Sequence, residues 1–161
     1  MIISPLQFQP RARRSIMAPV IRVRLVKCEA GGGRVDPGEY AMLEPWWKAR
    51  GGFPPKREML PGLGAIGLAD GVPAAAAFMY LDAAGSGVAQ LAWLAMAPDA
   101  GKRAAVRSLR AAAGFLLGEA RRMNYWLVSA TFHHPSLVRF LGKSLGFQTV
   151  GIHMSQMFAP L

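Results

Sequence analysis

The run from Val72 to Leu81 is nearly all apolar and stands between two turn signals, Asp70-Gly71 before it and Asp82 to Gly87 after it. It is about half of the roughly 20 residues that a bilayer span needs. An apolar run of this length, bounded by turns, reads as a strand covered on both faces. Asp-Gly is a strong hairpin signal, so Ala65 to Ala69 is expected to pair with it as the preceding strand. Val88 to Ala97 is then the third strand of an antiparallel meander. A middle strand buried on both sides needs helices to cover it, and the rest of the chain supplies them.

Ile21 to Lys27 alternates apolar and basic residues, as a half-buried strand does, and Gly31-Gly32-Gly33 ends it. Asp36-Pro37 opens a helical stretch, Glu39 to Arg50, in which Pro45 is expected to shorten or split the helix. Gly51 to Pro55 is a loop. Gly101 to Arg122 is the longest helix, with Leu109, Ala112, Ala113, Leu116, Leu117 and Ala120 at helical spacing. Tyr125 to Phe132 reads as a strand. Pro135 opens a helix through Lys143 or Ser144 that Gly146 stops, and Phe147 to Gly151 and Met154 to Phe158 read as two closing strands. The expected class is α+β: a mixed, largely antiparallel central sheet flanked by helices. It forms one domain over residues 20–161, preceded by a basic arm over residues 1–19.

Apolar residues make up 52% of the chain and charged residues 17%, which excludes a disordered chain. Much of the apolar fraction is alanine, so the core anchors are expected among the Leu, Val, Ile, Met and aromatic positions. The single cysteine, Cys28, rules out an internal disulfide and reads as a strand-end thiol without special chemistry. No apolar stretch follows the early arginines, so no secretory leader is expected and the location implied is cytoplasmic. The net charge of +10 implies an anionic partner: a phosphorylated small molecule, acidic lipid or nucleic acid. The basic residues are dispersed, which disfavours a dedicated nucleic-acid stripe.

One arrangement concentrates that charge. The strand end Leu94-Ala95-Met96-Ala97-Pro98 leads into Gly101-Lys102-Arg103-Ala104-Ala105-Val106, a small and basic helix start. Free N–H groups and the helix dipole make such a start an anion site. Cations in a first turn oppose the dipole, so a bound anion accounts for Lys102 and Arg103 better than solvation alone does.

The element order and these motifs, from about Val20 to Phe158, resemble the GNAT acyltransferase superfamily. Leu94 to Pro98 fits that family's hydrophobic-x-hydrophobic-x-Pro strand end. Gly101 to Val106 stands where its Arg/Gln-x-x-Gly-x-Gly/Ala pyrophosphate loop lies, with Ala104 as the small residue and Lys102 and Arg103 in place of the arginine. Leu141-Gly142-Lys143-Ser144-Leu145-Gly146-Phe147 matches the family's Leu-Tyr-x-x-x-Gly-Phe except at Gly142, where the usual acid, tyrosine, is missing. The resemblance implies an acyl-CoA such as acetyl-CoA as co-substrate, and an acceptor amine on a small molecule or protein. It implies cofactor contacts from Leu94, Met96 and the Gly101–Val106 segment on one side. On the other side it implies Ser129, Thr131 and Ser136. No metal is implied.

With Gly142 unable to act, His133 and His134 are the candidate acid or base, and Glu44 is a weaker one. Glu39, Tyr40, Tyr80, Gln90 and His153 complete the set. The two histidines read equally as a helix cap or surface pair, and Glu44 as a first-turn helix charge. Trp46, Trp47 and Phe53, with nearby Lys48, Arg50, Lys56 and Arg57, read as an acceptor pocket if exposed and as helix-to-sheet packing if buried. A catalytically inactive binding or assembly module and a basic nucleic-acid-associated protein stand as alternatives to the enzyme. The last strand is expected to allow pairing across a homodimer.

Overall fold

The computed structural model describes residues 18–30, 33–49, 51–83, 85–132 and 134–148. Their elements run β1 (Ile21–Leu25), α1 (Pro37–Lys48), a 3₁₀ turn (Arg57–Met59), β2 (Leu63–Ala69), β3 (Val72–Leu81), β4 (Val88–Met96), α2 (Lys102–Arg122), β5 (Leu127–Ala130) and α3 (Pro135–Leu145). The five strands form one sheet in chain order, β1-β2-β3-β4-β5. The first three pairings are antiparallel and β4–β5 is parallel. Parallel neighbours need a long crossover, and α2 is that crossover. The expected mixed α+β architecture is the one observed. The N-terminal arm falls outside the described residues apart from Ala18 and Pro19, as do the closing strands from residue 149 onward; Phe147 and Gln148 follow the α3 cap without joining the sheet.

β3 spans the residues its apolar run predicts, and Ala74 to Met79 are buried without a break. Side chains alternate across it. Ala75, Ala77 and Met79 face α2, whereas Ala76 and Phe78 face α1 and its tryptophans. Pro73 lacks an N–H for the ladder, and the β2–β3 register shifts beside it, between Gly67 and Leu68.

α1 departs from expectation. It runs unbroken from Pro37 to Lys48 with Pro45 inside it. Asp36 accepts from the N–H groups of Gly38 and Glu39 at 2.9 and 3.2 Å, which caps the start. Arg24 of β1 grips buried Glu39 with two hydrogen bonds of 2.8 and 2.9 Å. Leu43, Trp46 and Trp47 are buried against the sheet. Packing on that scale offsets the one backbone bond that proline removes.

The core also differs from expectation, because alanine is a major part of it. Ala65, Ala75, Ala77 and Ala89 of the sheet meet Ala112, Ala113 and Ala120 of α2, all essentially inaccessible. The cause is close approach. A Cβ placed on Gly67 of β2 would lie 2.3 Å from the backbone carbonyl oxygen of Ser108 in α2. At that spacing the seam between helix and sheet holds methyl groups, and larger anchors such as Leu109, Leu116, Leu91 and Met79 fill it only at intervals.

Gly67→Ala is therefore expected to lower the unfolding free energy by about 2 kcal/mol or more, since backbone must yield to backbone. Gly118→Ala, in the same helix where a Cβ meets nothing within 4 Å, is expected to raise it by about 0.5–1 kcal/mol. Urea unfolding of the two variants measures both.

Candidate active site

The chain parts at the C-terminal half of β4. β5 pairs with β4 only from Val88↔Leu127 to Leu91↔Ala130. Two residues further along, Trp93 takes the left-handed conformation at φ 51, and the β3–β4 register shifts between Ala76 and Phe78. This is a β-bulge on β4, and its extra residue reverses which side chains face which helix. Ala89 and Leu91 face α2 before it; after it Trp93 and Ala95 face α1, and Leu94 and Met96 face α2. A non-glycine residue in this region costs about 1–3 kcal/mol unless its surroundings hold it. They do: the Trp93 indole donates to Tyr80 Oη at 2.8 Å, and Tyr80 donates in turn to the Met59 carbonyl.

Beyond Leu91, β4 has no ladder partner on its β5 side among the described residues. Ala97 N–H bonds toward β3, to the Ala74 carbonyl at 2.9 Å. Main-chain groups alternate sides along a strand, so those of Met96 and Leu94 point the other way, into the space that β5 has vacated. Ser129 lies inside the paired region, opposite Gln90, and its hydroxyl donates to the Ala89 carbonyl at 3.3 Å. Thr131 follows the end of β5 and has no ladder partner.

That gap opens onto a cavity of about 480 Å³ lined by Leu94, Ala95 and Met96 of β4, Leu109 of α2, Trp46 and Trp47 of α1, Gly52, and His134, Ser136 and Leu137 at the start of α3. The fold thus brings Leu94, Met96, His134 and Ser136 together. Both tryptophans are 7% exposed; they are core residues that also form a wall. Phe53, next to Gly52, is 95% exposed. Glu44 does not line the cavity and is paired with Lys48 at 2.9 Å. His133, Arg50 and His153 fall outside the described residues.

His134 caps α3. Its Nδ1 accepts from the Ser136 backbone N–H at 3.3 Å and lies 2.7 Å from Ser136 Oγ. A backbone N–H can only donate, so Nδ1 carries the lone pair and the neutral ring holds its proton on Nε2. This tautomer presents a donor. The Ser136 hydroxyl therefore donates to Nδ1 as well. This cap could be suspected from His-Pro-Ser at a helix start, but the tautomer follows only from the geometry.

At the other end of the turn after β4, Gly101 caps α2 with no side chain of its own. Ala105 N–H already bonds to the Gly101 carbonyl at 3.0 Å, and its side chain is buried. The donors without helical partners are therefore those of Lys102, Arg103 and Ala104. Val106 lies a residue deeper, 37% exposed. The first turn holds no acidic residue, and Lys102 and Arg103 make no ion pair among the described residues. Gly142 sits on the exposed side of α3 and does not line the cavity.

The remaining titratable candidates are occupied. Tyr40 donates to the Pro55 carbonyl at 2.8 Å, and burial raises its pKa above the usual phenol range. Cys28 donates to the Gly62 carbonyl at 3.3 Å; burial, then the charge of Glu39, raises its thiol pKa. A raised pKa means less thiolate at any given pH. Iodoacetamide is thus expected to label Cys28 more slowly at pH 8 than it labels a free cysteine peptide, which mass spectrometry reads directly.

No helix among the described residues is long and apolar enough to cross a membrane. No protein-family model matches the chain, and neither does any curated protein sequence. Solved structures do match. An acetyltransferase of Trypanosoma brucei aligns over 88% of this chain and 100% of its own, with a TM-score of 0.53 and 15% identity. An aminoglycoside N-acetyltransferase in complex with CoA aligns over 89% and 95%, with a TM-score of 0.54 and 13% identity. Glucosamine-6-phosphate N-acetyltransferase of Arabidopsis thaliana aligns over 87% and 99%, with a TM-score of 0.51 and 11% identity. Strand order, the parallel β4–β5 pair, the bulge and these alignments agree: the chain has the fold of the GNAT acyltransferases.

Proposed function

We propose that the protein transfers an acyl group from an acyl-CoA to an amine. The observation that carries this reading is the parting of β4 from β5, which turns the main-chain groups of Leu94 and Met96 toward an open cavity. A pantetheine arm carries amides that pair with such groups as a strand would. The pyrophosphate then falls to the α2 N-terminus, where the N–H groups of Lys102, Arg103 and Ala104 and two cationic side chains meet it. Ser136 and His134 border the thioester end, where His134 donates its Nε2–H to the reacting group. Attack by the amine nitrogen forms the C–N bond and breaks C–S, and the CoA thiolate leaves.

One observation favours a second reading, a binding module without turnover. Among the described residues no carboxylate lines the cavity, and Gly142 supplies no acid. Cofactor binding with no product over a broad amine panel would select it. A nucleic-acid role would appear instead as affinity for random duplex DNA that falls steeply with salt.

Isothermal titration with acetyl-CoA tests the proposal. A micromolar Kd, about −8 kcal/mol, is expected, and Lys102→Ala with Arg103→Ala should weaken it roughly tenfold, about 1.4 kcal/mol. No binding by the unaltered protein rejects the enzyme reading. Tyr80→Phe removes the acceptor that holds the Trp93 indole. It is expected to cost about 1 kcal/mol in urea unfolding and to weaken acetyl-CoA binding by loosening the bulge, whereas an unchanged affinity would separate the bulge from the cofactor.

A further inference from the structure

The cavity is as informative for what it lacks as for what lines it. Trp46, Trp47, Leu94, Leu109 and Leu137 make its wall apolar, and among the described residues His134 is the one titratable group on it. The carboxylates on α1 are engaged elsewhere, Glu44 by Lys48 and Glu39 by Arg24. His134 keeps the lone pair of its Nδ1 on the Ser136 N–H, which leaves a proton on Nε2. The protein also carries a net charge of +10. Among the described residues such a site offers an ammonium group no carboxylate to pair with and no free imidazole nitrogen to deprotonate it. An alkylamine with a pKa near 10.4, the lysine value, is uncharged in only about one molecule in 2,500 at pH 7.

Resting on the acyl-transfer reading, we infer that the acceptor is an apolar aromatic amine whose nitrogen is already uncharged near neutral pH, as in aniline. Polycationic amines are excluded. An aromatic ring stacks against the Trp46 and Trp47 wall and against Phe53, which follows the lining residue Gly52 in the chain and is 95% exposed. Attack by the neutral nitrogen forms the amide, and the proton it sheds after attack goes to solvent or to the departing thiolate, so no protein base is needed. This separates the chain from the aminoglycoside N-acetyltransferase whose fold it shares.

The experiment compares aniline, benzylamine and spermidine with acetyl-CoA as donor, from pH 6 to pH 9. Aniline should react with a kcat/KM that is flat across this range. Benzylamine should rise about tenfold per pH unit until its ammonium titrates, and spermidine should give no product. Phe53→Ala should raise the KM for aniline at least fivefold and leave the KM for acetyl-CoA unchanged. Quenching of tryptophan emission by aniline reads the acceptor site without turnover. If acetyl-CoA fails to bind while aniline still quenches, acyl transfer is lost but the aromatic site stands. Spermidine turning over faster than aniline, or acetyl-CoA binding with no quenching or turnover by aniline, overturns the inference.

Discussion

One residue, Trp93, in a conformation it would not choose alone, organises the rest of the site. Its left-handed backbone inserts an extra residue into β4, so the strand changes phase and leaves β5 behind. The β4 wall of the cavity depends on that change. Leu94 and Met96 turn to the α2 face, and their main-chain groups enter the gap. Ala95 shifts to the tryptophan side. The Trp93–Tyr80–Met59 hydrogen-bond chain keeps the bulge in place. It ties the strained residue to β3 and to the turn before β2, which do not otherwise belong to the site.

The sheet can serve as such a platform because α2 lies unusually close to it. Contact between Gly67 and the Ser108 backbone sets the spacing, and alanines on both surfaces follow from it. The result fixes α2 against four strands and so holds its N-terminus at the end of β4. Placement of the basic start of α2 is thus decided by small residues far from it. On the opposite face α1 is held by its Asp36 cap, by the Arg24–Glu39 pair and by buried tryptophans, which explains its tolerance of Pro45.

Much of the fold is legible in the residues, and the reasons are local. The Asp70-Gly71 turn and the Val72–Leu81 run mark a hairpin and a central strand because turn geometry and two-sided burial leave direct compositional traces. Pro135 and Gly146 bracket α3 because their backbone preferences act within a few residues. Tyr125 to Phe132 was too long for β5, since strand length there depends on where β4 turns away. Pro45 carried a real local penalty that contacts distant in sequence outweigh.

The candidate site divides in the same way. The sequence by itself determined the basic, small-residue start of α2 and the strand end before it, because an N-terminus of a helix offers donors whatever surrounds it. It also determined that tyrosine is missing at Gly142. It took the folded chain to show that Glu39 is gripped by Arg24, that β5 leaves β4 beyond Leu91, and that the tryptophans are wall and core at once. Those are facts of partner and distance. The Arg24–Glu39 pair, the burial of a tryptophan and the parting of two strands depend on atoms brought together from separate parts of the chain, and no single stretch of sequence carries them.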